Sequence, residues 1–113
     1  MIKILVVDDS AYSRRVIAKI LETIPGVQVV DTAVDGQDAL KKTMRYRPDL
    51  ITLDLDMPLM DGFTFLRWLM ASIPTPVIIV SAQEADDNVF KAMDLGAVDF
   101  VVNPTRYASL QLE

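Results

Sequence analysis

In 113 residues there is room for one compact domain, and a 51% hydrophobic content gives it enough apolar side chains for a substantial core. A formal charge of -5 without a Lys/Arg cluster argues against a nucleic-acid surface, which needs concentrated positive charge. Neither cysteine nor histidine is present, which excludes disulfides, thiolate or imidazole metal ligands and histidine-based catalysis, so any metal must be held by oxygen.

No apolar run approaches the roughly 20 residues that span a bilayer, and Met1 leads straight into a strand-like run without a signal-peptide pattern. The expectation is a small acidic domain of the cytoplasm, with no membrane anchor and no nucleic acid bound.

Ile2 to Val7 is β-rich and ends in Asp8-Asp9-Ser10. From Ala11 the period changes: Ile17, Ile20, Leu21 and Ile24 follow the i, i+3, i+4, i+7 spacing of an amphipathic helix, with Ser10 as its N-cap and Pro25-Gly26 as its stop. Val27 to Thr32 reads as a second strand. Asp35-Gly36 then starts a helix that turns Ala39, Leu40 and Met44 inward, and Pro48 closes it. Arg14-Arg15 and Lys41-Lys42 read as solvated helix faces.

The third strand, Leu50 to Asp54, carries the strongest signal. A central parallel strand is covered on both faces and reads as a continuous apolar run, so a carboxylate inside it would be costly. Asp54 and Asp56 instead follow the apolar stretch, at the strand's carboxyl end, where ligands bind in open α/β sheets. Asp54 is therefore the leading functional residue.

Pro58 and Asp61-Gly62 form the turn into a helix from about Gly62 to Ala71, with Leu66, Leu69 and Met70 on one face. Val77 to Val80 is an apolar strand ending at Ser81, where Ser81-Ala82-Gln83-Glu84 has a capping-box pattern. Gln83 to Leu95 reads as a helix stopped by Gly96, and Asp99 to Val102 as the last strand. Thr105 to Glu113 has room for a helix of only about two turns, as though a longer regulator were cut there. Phe90, Met93, Phe100 and Trp68 are each expected to pack in the core.

Alternating strands and helices imply a doubly wound α/β domain, a parallel sheet with helices on both faces. Because all its strands share one direction, Asp8, Asp9, Asp54, Asp56, Ser81 and Asn103 should gather at one rim. Crowded carboxylates repel unless a cation neutralises them, and hard oxygen donors suit Mg2+ or Mn2+. A carboxylate beside such an ion can act as a nucleophile toward phosphorus.

Val6-Val7-Asp8-Asp9-Ser10, the run from Asp54 to Gly62, Val80-Ser81-Ala82 and Gly96-Ala97-Val98-Asp99-Phe100 together resemble a response-regulator receiver domain. The likeness covers nearly the whole chain and is strongest to the regulatory domain of a chemotaxis protein-glutamate methylesterase.

It implies a flavodoxin-like, five-stranded parallel sheet of order 2-1-3-4-5. Asp54 would be the phosphoacceptor, Asp8 and Asp9 the acid pair for Mg2+, and Asp56 a metal ligand through its backbone carbonyl. Ser81 would be the switch hydroxyl and Phe100 the aromatic side chain that follows it. A histidine kinase would donate the phosphoryl group, a C-terminal output domain such as a methylesterase would receive the signal, and a second copy would dock on the last helix-strand-helix face.

The chain itself would be a switch rather than an enzyme. A cis Asn103-Pro104 bond is expected from the same likeness. Asn103 departs from the family pattern, which has lysine there; it can donate a hydrogen bond but brings no charge.

Two other readings compete. A pseudo-receiver acting by protein contact alone follows from Asn103. A haloacid-dehalogenase-type phosphohydrolase follows from Asp54-Leu55-Asp56, though that family places the motif on its first strand.

Overall fold

The computed structural model describes residues 1–55, 57, 62–82 and 87–105. Five strands, β1 (Ile2–Val7), β2 (Val27–Ala33), β3 (Leu50–Asp54), β4 (Val77–Ser81) and β5 (Asp99–Val102), form one sheet in the order β2-β1-β3-β4-β5. Every neighbouring pair is parallel. The described helices are α1 (Ala11–Glu22), α2 (Gly36–Tyr46), α3 (Gly62–Ser72) and α4 (Asp87–Asp94). The expected doubly wound order is observed. The expected final helix lies outside the described residues beyond Thr105, and so does the start of the helix expected from Gln83.

Alternation along β1 builds the two cores. Ile4 and Val6 pack with Ile17 of α1, while Leu5 and Val7 join Ala39 of α2, Phe65, Leu66 and Leu69 of α3 and Ala92 of α4 on the opposite face. In β2 the simple alternation fails. Its register against β1 shifts between Ile4 and Leu5, so that Ile4 pairs with Val29 but Leu5 with Asp31. This bulge changes the parity of the strand: Val27 and Val29 lie with the α1 core, whereas Ala33 belongs to the α2–α3 core.

Several expected core positions are corrected. Ile20, Ile24, Met44 and Phe90 are exposed. Ile24 falls beyond the Thr23 cap of α1, and Thr43 is buried in α2, its hydroxyl satisfied by the Ala39 carbonyl at 2.7 Å. Met93, Phe100 and Trp68 are partly buried against the core, and the Trp68 ring centroid lies 6.1 Å from that of Phe65.

The charged pairs also differ from a solvated face. Lys42 Nζ donates to the Thr32 carbonyl at 2.6 Å and to Asp38 Oδ2 at 3.1 Å, bracing α2 against β2. Pro48 ends α2 as expected; the residue before it, Arg47, takes a left-handed cap with φ 47°.

Gly96, after α4, has φ 122°, and a Cβ there would stand 3.0 Å from Met70 Cγ. Gly26 has φ 83° with nothing within 4 Å of such a Cβ. Gly96→Ala is therefore expected to destabilise by about 1–3 kcal/mol, and by more than Gly26→Ala. Urea unfolding of both variants checks this; equal midpoints would contradict it.

Candidate functional site

The carboxyl ends of β1 and β3 adjoin because the two strands pair in parallel, with Val7 opposite Leu53. One carboxylate oxygen from each of Asp8, Asp9 and Asp54 lies within 4.8 Å of the others. Asp8 is buried at 1% exposure, Asp54 is half-buried and Asp9 is exposed, so the cluster runs from the interior to solvent. Neither Asp8 nor Asp9 forms an ion pair with any described residue; the ion pairs found among those residues belong to Lys42. The donor set, three carboxylates reaching solvent, fits a hard divalent cation.

Local structure accounts for the placement of Asp8. Its N–H continues the ladder to the Ala33 carbonyl at 3.0 Å. Ser10 N–H donates to Asp8 Oδ1 at 2.9 Å, the turn that an Asx residue favours. Ser10 then caps α1 by accepting from Ser13 N–H at 3.2 Å, as expected.

Two residues of α1 serve the site, Ser13, which the sequence did not single out, and Arg14, expected on a solvated face and found turned to Asp8 instead. Ser13 Oγ donates to Asp8 Oδ2, and Arg14 Nη1 donates to the Asp8 carbonyl at 2.9 Å. Ser13 stands one turn before Ile17 on the buried stripe, and a hydroxyl in that position needs a partner. That requirement was the available signal.

Asn103 also reaches the site. Its N–H donates to the Ser81 carbonyl at 2.7 Å, which places the ends of β4 and β5 side by side. Its side-chain Nδ2 donates to Ser13 Oγ at 3.0 Å, while Oδ1 accepts from Thr105 N–H at 2.9 Å and from Thr105 Oγ1 at 2.7 Å.

The Asn103-Pro104 bond is trans, correcting the expected cis bond. An X-Pro amide favours trans by about 0.5–1 kcal/mol, and here the Asn103 to Thr105 bonds close the turn in that isomer. Ser81 is buried at the end of β4. Phe100 on β5 is half-buried against the α2–α3 core. Asp56 lies outside the described residues.

A family model described as the response regulator receiver domain matches residues 4–112. The chain belongs to that family. Among its relatives, protein-glutamate methylesterase/protein-glutamine glutaminase 3 of Geobacter sulfurreducens is 51% identical over 98% of this chain and 30% of its own length. The protein of the same name, without a number, from Halalkalibacterium halodurans is 52% identical over 99% of this chain and 33% of its own. The chain thus spans about a third of the curated relatives it matches.

Among solved structures, the response regulator domain of Thermotoga maritima CheB superposes with a TM-score of 0.87 at 37% identity, covering 99% of this chain and 90% of that one. A chain of the CheX-CheY-BeF3-Mg2+ complex of Borrelia burgdorferi gives 0.82 at 34% identity, over 96% of this chain and 84% of that one. This likeness to chemotaxis methylesterase receivers agrees with the resemblance read from the motifs.

The family match removes the phosphohydrolase reading. The expectation of a switch rather than an enzyme is corrected as well, because these relatives are enzymes by name. About two thirds of their length has no counterpart among these residues. Among the described residues no helix is long and apolar enough to cross a membrane.

Proposed function

We propose that this chain is the phosphoryl-accepting regulatory part of a chemotaxis-type methylesterase. In this reading it works in the cytoplasm and continues into a C-terminal output domain. The observation that carries the reading is the convergence of Asp8, Asp9 and Asp54 at the carboxyl ends of two adjacent parallel strands. Asp54, at the end of β3 and reaching solvent, is the nucleophile: one carboxylate oxygen attacks the phosphorus of a kinase phosphohistidine, a P–O bond forms, the P–N bond breaks and the imidazole leaves.

Asp8, Asp9 and Asp54, with the Asp56 carbonyl, would hold Mg2+ or Mn2+. A divalent ion there offsets repulsion between the attacking carboxylate and the phosphoryl oxygens. Ser81 on β4, the strand next to β3, and Phe100 on β5, one strand further out, are the side chains through which the modified rim would alter the α4–β5 face. Support for a partner on that face, whether the output domain or a second copy, comes from the exposed Phe90, Val98 and Val101.

Incubation with acetyl phosphate, followed by intact mass measurement, tests the reading. With Mg2+ the chain is expected to gain the mass of one phosphoryl group, and with EDTA none. An unmodified mass under both conditions would favour a pseudo-receiver acting through protein contact.

A further inference from the structure

We propose that Ser13 is a positioning residue for Asp8, and that Asn103 acts on the cation site through it. The inference rests on the reading of Asp8 as a cation ligand. Asn103 Nδ2, Ser13 Oγ and Asp8 Oδ2 form a continuous chain of hydrogen bonds from the end of β5, across the start of α1, to the end of β1. Its outer members are 95 positions apart in sequence, counting 103 less 8. Ser13 and Asp8 are buried at 3% and 1% exposure, so water does not readily replace the bond between them.

The relay has one direction. Asn103 Oδ1 accepts two bonds from Thr105, so turning the amide over would put its NH2 group against the Thr105 N–H. Nδ2 can only donate, hence the Ser13 oxygen accepts from it and the hydroxyl proton points to Asp8. Ser10 N–H holds the other carboxylate oxygen. Asp8 is thereby clamped at both oxygens, each of which keeps lone-pair capacity for a cation, and its plane is set before any ion arrives.

In receivers of the usual pattern, the position of Asn103 carries a lysine. In this chain the side chain is engaged with the cation ligand instead, through a serine that supplies the matching hydroxyl. A purely architectural bond between α1 and β5 would stabilise the fold but leave cation affinity unchanged, and this difference separates the two roles.

Calorimetric titration with Mg2+ of the parent chain, Ser13→Ala, Asn103→Ala, the double variant and Ser13→Thr tests the proposal, each chain first checked by circular dichroism. Ser13→Ala is expected to weaken Mg2+ binding about tenfold, the lower end for loss of a group that orients a metal ligand. Asn103→Ala should weaken it less, and the double variant no more than Ser13→Ala, because the two substitutions cut one relay. Ser13→Thr keeps the hydroxyl and should stay within about twofold of the parent.

If Ser13→Ala does not fold, Asn103→Ala carries the test, and its Ser10 amide signal must also move in the metal-free protein. Unchanged affinity in Ser13→Ala, or independent losses that multiply in the double variant, would overturn the relay while leaving the cation site intact. A parent chain that binds no Mg2+ would overturn the cation reading, and the relay's role with it.

Discussion

Asp54→Asn is expected to gain no phosphoryl mass from acetyl phosphate and Mg2+ under conditions that modify the parent chain. The side chains are nearly isosteric, and Asp54 ends β3 opposite Val80 through backbone pairing that the substitution leaves untouched. The amide, however, has neither the negative charge nor the nucleophilic oxygen of a carboxylate. The start of α3 also packs against this strand end: a Cβ on Gly62 would lie 3.3 Å from the Asp54 carbonyl and 3.2 Å from Leu55 Cδ2. The site is therefore enclosed on one side by fixed backbone, and the geometry of the residue at position 54 is expected to survive the change.

Removing one of three clustered carboxylates also relieves repulsion among them. Intact mass and a melting curve together decide the matter. Full modification of a folded Asp54→Asn chain would mean that another carboxylate is the acceptor.

Asn103→Lys is expected to raise the ratio of active to inactive chain with bound beryllofluoride and Mg2+ about tenfold, the effect of roughly 1.4 kcal/mol. A phosphoryl group brings about -1.5 to -2 charge to an already acidic rim. Asn103 meets it with no charge, and one of its amide protons is already given to Ser13. A lysine would add a charge-assisted hydrogen bond worth about 1.5–3 kcal/mol, and a conformational equilibrium shifts only by the difference in stabilisation between its two states.

The readout is the amide chemical shifts around Ser81, Phe90 and Phe100, which should move further in the lysine variant. Mg2+ affinity should not tighten, since an ammonium beside the cluster competes with the cation and the bond to Ser13 is lost. A full response in the parent chain, with nothing added by lysine, would show that asparagine suffices; clearly tighter Mg2+ binding by the variant would contradict the electrostatic part.

By itself the sequence determined the elements and the rim on which the carboxylates gather. Alternation in β1, the apolar run of β3 that ends at Asp54, the Ser10 cap and the turn after α1 depend on residues a few positions apart, and local sterics and hydrogen bonding act over that range. Parallel strands then required Asp8, Asp9 and Asp54 to share a rim, so the cluster itself was legible, and the receiver motifs supplied the order of the strands.

What only the tertiary structure decided involves partners distant in the chain. The bulge at β2 depends on how its residues register against β1, which reverses the face of Ala33 relative to Val29. Lys42 left the solvated face because the Thr32 carbonyl lies within reach once α2 packs on the sheet. Phe90, expected inside, lies outside because α4 turns Val89 and Ala92 inward instead.

Most consequential, Asn103 presented itself in the sequence as a missing positive charge. In the fold it is a donor to Ser13, and through Ser13 to Asp8, because packing α1 between the ends of β1 and β5 brings a buried hydroxyl to both. Hydrogen bonds between residues 90 positions apart leave no periodic mark in a sequence; they exist only after the sheet has placed its strand ends together.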